Sequence, residues 1–207
     1  MPPSSASQPL KVEPTTGLLV GVRQVLSPHF DARPTGVVAE LIVVHGISLP
    51  PGEFGGPWID LLFTGALPAD AHPYFRDVAR SRVSAHALVR RAGQIVQYVP
   101  FGMRAWHAGQ SQYRGRSSCN DFSVGIELEG ADETPYTDAQ YKQLAAVVDA
   151  LLAAYPLLAA EHIVSHSDIA PGRKTDPGPA FEWPRWRALL HERLAARSVA
   201  SGSNTAP

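Results

Sequence analysis

Hydrophobic and polar positions alternate from Phe122 to Glu129, with Phe122, Val124, Ile126 and Leu128 on one side and Ser123, Gly125, Glu127 and Glu129 on the other. Successive strand residues face opposite ways, so this segment predicts a half-buried strand with two carboxylates on its polar face. Leu41-Ile42-Val43-Val44-His45 is instead an unbroken apolar, β-branched run ending in a histidine. It predicts a buried central strand that delivers His45 at its end. Residues 83–91 and 94–99 predict a hairpin with Arg91-Ala92-Gly93 near the turn, and Glu161 to Ser165 a short strand leading into His166.

Helical spacing appears twice. Tyr141, Leu144, Val148, Leu151 and Tyr155 form an apolar stripe. Thr137 and Gln140 offer a capping box ahead of it and Pro156 a stop behind it. Pro184 suits the first turn of a final helix whose core face is Trp186, Leu189, Leu190 and Leu194. A short helix is expected over Trp58 to Phe63. Before it, Gly46 to Trp58 contains three prolines and four glycines, an irregular loop of the kind that often borders a binding site. Residues 1–16 and 198–207 have the composition of flexible tails around one domain, residues 17–197. Strands followed by helices, without regular βαβ alternation, indicate an α/β (α+β) fold: a mixed central β-sheet flanked by helices.

Composition narrows the class. The 207 residues are 44% hydrophobic and 18% charged, as in soluble globular proteins. A net charge of -1 sets up no field that would draw nucleic acid or an anionic membrane, so neither is expected as a partner. The single cysteine, Cys119, rules out an internal disulfide, suits a reducing compartment and reads as a buried or semi-buried thiol. The opening residues lack the pattern of a secretory signal, and the apolar run at Leu18–Val22 is far short of the roughly 20 residues a membrane span needs. A cytoplasmic location is expected.

Candidate chemistry gathers between Val164 and Gly178, where His166, Lys174 and Asp176 lie in a loop braced by proline and glycine. Two neutral imidazoles and a carboxylate form the ligand set of a catalytic zinc, which keeps three protein ligands and a position for water. His45 is the other imidazole, although sequence separation alone does not bring it to His166. For each histidine the alternative is a core residue satisfied by a hydrogen bond. Pro177 restrains the backbone that presents Asp176. In an extended segment Lys174 would project to the same side as Asp176, a cation suited to negative charge that develops during a reaction. Glu127 is the first candidate for proton transfer, against a solvated strand face, and Glu129 the second. His86 and His107 could approach a pocket. His29, His72, His162 and His191 read as surface or packing residues. Trp106 suits either a cleft wall or the core. The glycines of the 46–58 loop lack the spacing of a phosphate loop.

Four blocks, His45 to Trp58, Arg104 to Gly109, Cys119 to Gly130 and Arg173 to Pro179, occur in this order. Together they resemble the zinc N-acetylmuramoyl-L-alanine amidase family, which includes phage T7-type lysozyme and peptidoglycan recognition proteins, over about residues 20–195. The resemblance implies that family's mixed sheet, with His45, His166 and Asp176 as Zn2+ ligands, Glu127 as catalytic glutamate and Lys174 as catalytic lysine. The implied reaction cleaves the amide between the lactyl group of 1,6-anhydro-N-acetylmuramic acid and L-alanine of a stem peptide. An anhydro-muropeptide would be the substrate, a monomer the working form, and cytoplasmic peptidoglycan recycling the setting, with an effect on β-lactamase induction. The 46–58 loop would border the sugar and Trp106 the peptide.

Four positions depart from that pattern. Gly46 replaces an Asn common after the first zinc histidine, and Ser165 and Ser167 replace Gly and Cys around His166. Ser118 replaces an often basic residue, which shifts recognition of a peptide carboxylate toward Arg82 or Arg116. Two rivals follow. A non-catalytic peptidoglycan-fragment binding module is disfavoured by the complete ligand set. A periplasmic amidase acting on intact wall is disfavoured by the absence of an export pattern.

Overall fold

The two apolar runs singled out above lie side by side as parallel strands in the middle of one sheet. The computed structural model describes the backbone of residues 9–202 and the side chains of residues 9–199. In chain order the strands are β1 (Arg23–Gln24), β2 (Phe30–Asp31), β3 (Leu41–Ile47), β4 (Ala87–Val89) and β5 (Ile95–Gln97). Then come β6 (Arg104–Ala105), β7 (Gln112–Tyr113), β8 (Arg116–Ser117), β9 (Ser123–Glu129) and β10 (Ile163–Ser165). The helices are α1 (Trp58–Phe63), α2 (Phe75–Val78), α3 (Asp138–Ala154), α4 (His166–Ile169) and α5 (Trp183–Gly202).

The main sheet has the order β1-β5-β4-β9-β3-β10. All its pairings are parallel except the β4–β5 hairpin, so the sheet is mixed as expected. One face carries Ile42, Val44, Val124, Ile126 and Leu128 against Tyr141, Leu144, Val148 and Leu151 of α3 and Trp186 and Leu190 of α5. Thr137 caps α3 with the predicted box: its hydroxyl accepts from the Gln140 amide at 3.1 Å, and the Gln140 side chain accepts from the Thr137 amide at 3.1 Å. Such a cap stabilises a helix by about 1 kcal/mol.

The second face of the sheet is covered too, which corrects the half-buried reading of β9. All seven of its residues are buried. The cover consists of α1, α2 and the irregular segments that carry Leu49, Tyr98, Ala108 and Cys119. Alternation was real, but the polar side faces a covering layer of short helices and irregular segments instead of water. Loops contribute that layer, and their periodicity carries no signal.

Three smaller expectations shift. β10 begins at Ile163, because a 3-10 turn takes up Ala160–His162. Residues 9–16, assigned to the N-terminal tail, are ordered: Val12 bridges Leu19, and Leu10 and Val12 pack on the core. Residues 1–8 of that tail lie outside the described residues. The final helix continues through Ser198 to Gly202 instead of ending at the expected tail boundary, and residues 203–207 lie outside the described residues. Among the described residues no helix is long and apolar enough to cross a membrane.

Candidate metal centre and catalytic cleft

The sheet register brings the candidate ligands together. Ser165 of β10 pairs with Val44 of β3, so the residues that follow them in the chain, His166 and His45, enter the same space. Ser165 also caps α4: its hydroxyl accepts from the Asp168 amide at 2.9 Å while Asp168 accepts from the Ser165 amide at 2.8 Å. Ser165, one of the departures from the family pattern, therefore fixes the first residue of α4, His166. Asp168 is engaged in that box.

The three ligand atoms face one another. His45 Nδ1 lies 2.9 Å from His166 Nδ1, His166 Nδ1 3.1 Å from Asp176 Oδ2, and His45 Nδ1 3.3 Å from Asp176 Oδ2. A tetrahedral zinc with bonds of about 2.1 Å separates its ligand atoms by about 3.4 Å, so this His-His-Asp set fits the ion. Protonation states agree with that. Burial pushes the His45 imidazole down to about 4, against the opposing bond to Asp176, which keeps it neutral near pH 7. Burial alone would raise Asp176, but its close contacts with the His166 and His45 imidazoles outweigh burial and hold the carboxylate far below its usual range. Both histidines direct Nε2 at a fixed partner: His166 at the Ala108 carbonyl, 3.2 Å away, and His45 at His107 Nδ1, 2.9 Å away.

Glu127 pairs with His45 across the β3–β9 ladder and therefore projects from the same face. It is buried, and its Oε2 has no hydrogen-bond partner among the described residues. Burial, reinforced by the negative charge of Asp176 and opposed by the Lys174 cation, raises its pKa well above an ordinary glutamate. Glu127, Lys174, Asp176 and both histidines line one cleft of about 640 Å³.

Trp106 also lines this cleft. Its ring stacks on His29 at 6.1 Å and under the Arg82 guanidinium at 5.2 Å, and its indole N–H donates to Asp31 at 3.2 Å. Arg82 thus reaches the rim through Trp106. Arg116 does not reach it, which corrects its assignment to substrate. Arg114 and Gly115 both have positive φ, 48° and 80°, and reverse the chain between β7 and β8. That turn sends Arg116 to Glu40 at 3.2 Å and over the Phe122 ring at 3.9 Å, beside a separate recess.

Glu129, the second candidate base, serves the 46–58 loop. Its carboxylate accepts from the Gly55 amide at 2.7 Å, the Arg91 amide at 3.1 Å and Arg90 at 3.2 Å, while Arg90 donates to the Gly56 carbonyl at 3.0 Å. At Gly46 a Cβ would stand 2.4 Å from the Tyr136 hydroxyl and 3.3 Å from Pro177 Cα. Tyr136 donates to the Pro177 carbonyl at 2.9 Å and so braces the segment after Asp176. Arg173 ties the same segment to the Trp106 loop through Ala108 and Gln110 carbonyls at 2.6 and 2.7 Å. Neither Tyr136 nor Arg173 carried a functional signal in sequence, since each acts on backbone carbonyls.

Residues 34–179 match the family model described as N-acetylmuramoyl-L-alanine amidase. The chain is 64% identical to 1,6-anhydro-N-acetylmuramyl-L-alanine amidase AmpD of Salmonella typhimurium (strain SL1344), covering 86% of this chain and 94% of that protein. A crystal structure of a selenomethionine AmpD derivative superposes with a TM-score of 0.83 at 62% identity, covering 84% of this chain and 97% of that one. The amidase AmiD from E. coli, in complex with anhydro-N-acetylmuramic acid-L-Ala-D-gamma-Glu-L-Lys, is similar with a TM-score of 0.55 at 28% identity over 76% of this chain and 60% of that one. The chain belongs to the N-acetylmuramoyl-L-alanine amidase family.

Proposed function

We propose that this chain hydrolyses the amide between the lactyl group of 1,6-anhydro-N-acetylmuramic acid and L-alanine of a stem peptide, with zinc held by His45, His166 and Asp176. The observation that carries this reading is the convergence of two imidazole Nδ1 atoms and a carboxylate oxygen beside an unpartnered, buried Glu127 oxygen. High identity to AmpD over nearly all of that protein, and the anhydro-muropeptide held by the related AmiD, support the substrate.

When bound, zinc supplies Lewis acidity, acidifying water and polarising the amide carbonyl. Glu127 takes the proton as water adds to the carbonyl carbon, and returns it to the nitrogen as the C–N bond breaks. Its raised pKa makes it a stronger base than an exposed carboxylate. Lys174, on the same cleft wall, offers a cation to the oxyanion; one such donor contributes on the order of 3 kcal/mol. The loop held by Glu129 and Arg90 forms the wall toward the sugar, and Trp106 the wall toward the peptide.

We place this activity in the cytoplasm, in the recycling of wall fragments, where it would also lower the signal for β-lactamase induction. The lone buried thiol of Cys119 suits a reducing compartment. The test is mass-spectrometric digestion of anhydro-muropeptides beside polymeric sacculi, with chelator and metal add-back. Release of stem peptide from the soluble fragment, abolished by chelation and restored by zinc, is expected. Preference for sacculi, or turnover indifferent to chelation, overturns the reading.

A further inference from the structure

We propose that His107 is a positioning residue that fixes the metal-binding tautomer of His45, and that Gly125 exists as its seat. The proposal rests on the zinc reading above.

The direction of each hydrogen bond follows from a carbonyl, which can only accept. Ser123 Oγ donates its single proton to the Cys119 carbonyl at 2.6 Å. The serine oxygen must then be the acceptor in its contact with His107 Nε2 at 3.1 Å, so Nε2 carries the His107 proton. A neutral imidazole has one N–H, which leaves His107 Nδ1 as a lone pair. That lone pair lies 2.9 Å from His45 Nε2 and accepts its proton. His45 Nδ1 is left unprotonated, directed at His166 Nδ1 and Asp176 Oδ2. Four groups in series thus make His45 a ligand through one nitrogen only. His166 achieves the same end more simply, by donating to the Ala108 carbonyl.

The seat is equally specific. A Cβ on Gly125 would stand 2.4 Å from His107 Cγ and 2.5 Å from Nδ1. These are atoms near the root of the ring, with no flexible end to swing away. The backbone is held as well: Asn120 Oδ1 accepts from the amides of His107 and Ala108 at 3.0 and 2.8 Å. Gly125 lies two residues before Glu127 on β9, so one strand both carries the base and makes room for the group that orients the ligand.

The experiment measures zinc affinity by competition with a chromophoric chelator in wild type, His107→Leu, His107→Asn and Gly125→Ala. Asn and Leu match in size, but only Asn offers an acceptor where Nδ1 stood. His107→Leu and Gly125→Ala are expected to bind zinc about 10- to 100-fold more weakly, with His107→Asn within about threefold of wild type. Imidazole 15N shifts of zinc-loaded wild type should show His45 protonated at Nε2 and metallated at Nδ1. Equal affinity in wild type and His107→Leu, or equal losses in the Leu and Asn variants, overturns the proposal while leaving the metal centre intact. Failure of wild type itself to bind zinc overturns the metal reading, and this one with it. If circular dichroism shows His107→Leu unfolded, the Gly125→Ala affinity and the wild-type shifts decide.

Discussion

Glu127 stands opposite His45 across the parallel β3–β9 ladder, which puts the proposed proton carrier and a proposed metal ligand on the same face of the sheet. Their relative position is set by backbone register, and a register slip of one residue would turn either side chain to the helix-packed face. The geometry of the proposed site is thus a property of the buried centre of the sheet.

Glu127→Ala separates chemistry from metal binding. It should retain stoichiometric zinc and lose about 10²- to 10⁴-fold in kcat, measured by peptide release beside metal analysis. Near-normal turnover would remove Glu127 from proton transfer.

Asp176→Ala should do the reverse and lose the metal first, because two imidazoles alone leave the set incomplete. Metal content after gel filtration reads this directly, and full zinc occupancy would reject Asp176 as a ligand.

Glu129→Ala should destabilise the fold by about 1–3 kcal/mol, the usual cost of losing hydrogen bonds to a buried carboxylate, since Arg90 keeps Asp60 as an ion-pair partner. Hydrogen exchange at the Gly55 amide should also accelerate, since that amide loses its acceptor. Unchanged stability and exchange would mean the 46–58 loop is held by other contacts.

Asp60 gives a prediction with a sign in pH. Burial would raise its pKa, but hydrogen bonds from Tyr98 and Arg23 and the charge of Arg90 outweigh it, and the folded pKa is depressed. A depressed carboxylate contributes stability that is complete above the unfolded value of about 3.9 and is lost as pH falls through the folded value. Asp60→Asn should therefore be less stable than wild type at pH 7, with the difference shrinking below about pH 4. Denaturant titrations at both pH values check this, and a gap that persists in acid would contradict it.

Much of this was legible in the chain because the signals were local. The β3 run, the Thr137–Gln140 box and the Pro184 helix start each depend on neighbours within a few residues. His45, His166 and Asp176 were legible as chemistry, and the family blocks tied them together. What escaped notice depended on the turn at Arg114–Gly115, which carries Arg116 away from the cleft, and on contacts between distant segments. Glu127 and Glu129 share one strand face, and the sequence ranked Glu127 first without showing what Glu129 does. They differ because loop amides and Arg90 reach Glu129, while nothing among the described residues satisfies Glu127 Oε2.

X-ray absorption on the purified, zinc-loaded protein tests the metal centre most directly. One zinc per chain with two imidazole nitrogens and a carboxylate oxygen at about 2.0–2.2 Å is predicted, and His45→Ala should abolish that signature. Zinc bound with unchanged coordination in His45→Ala, or full activity in protein that binds none, would contradict it.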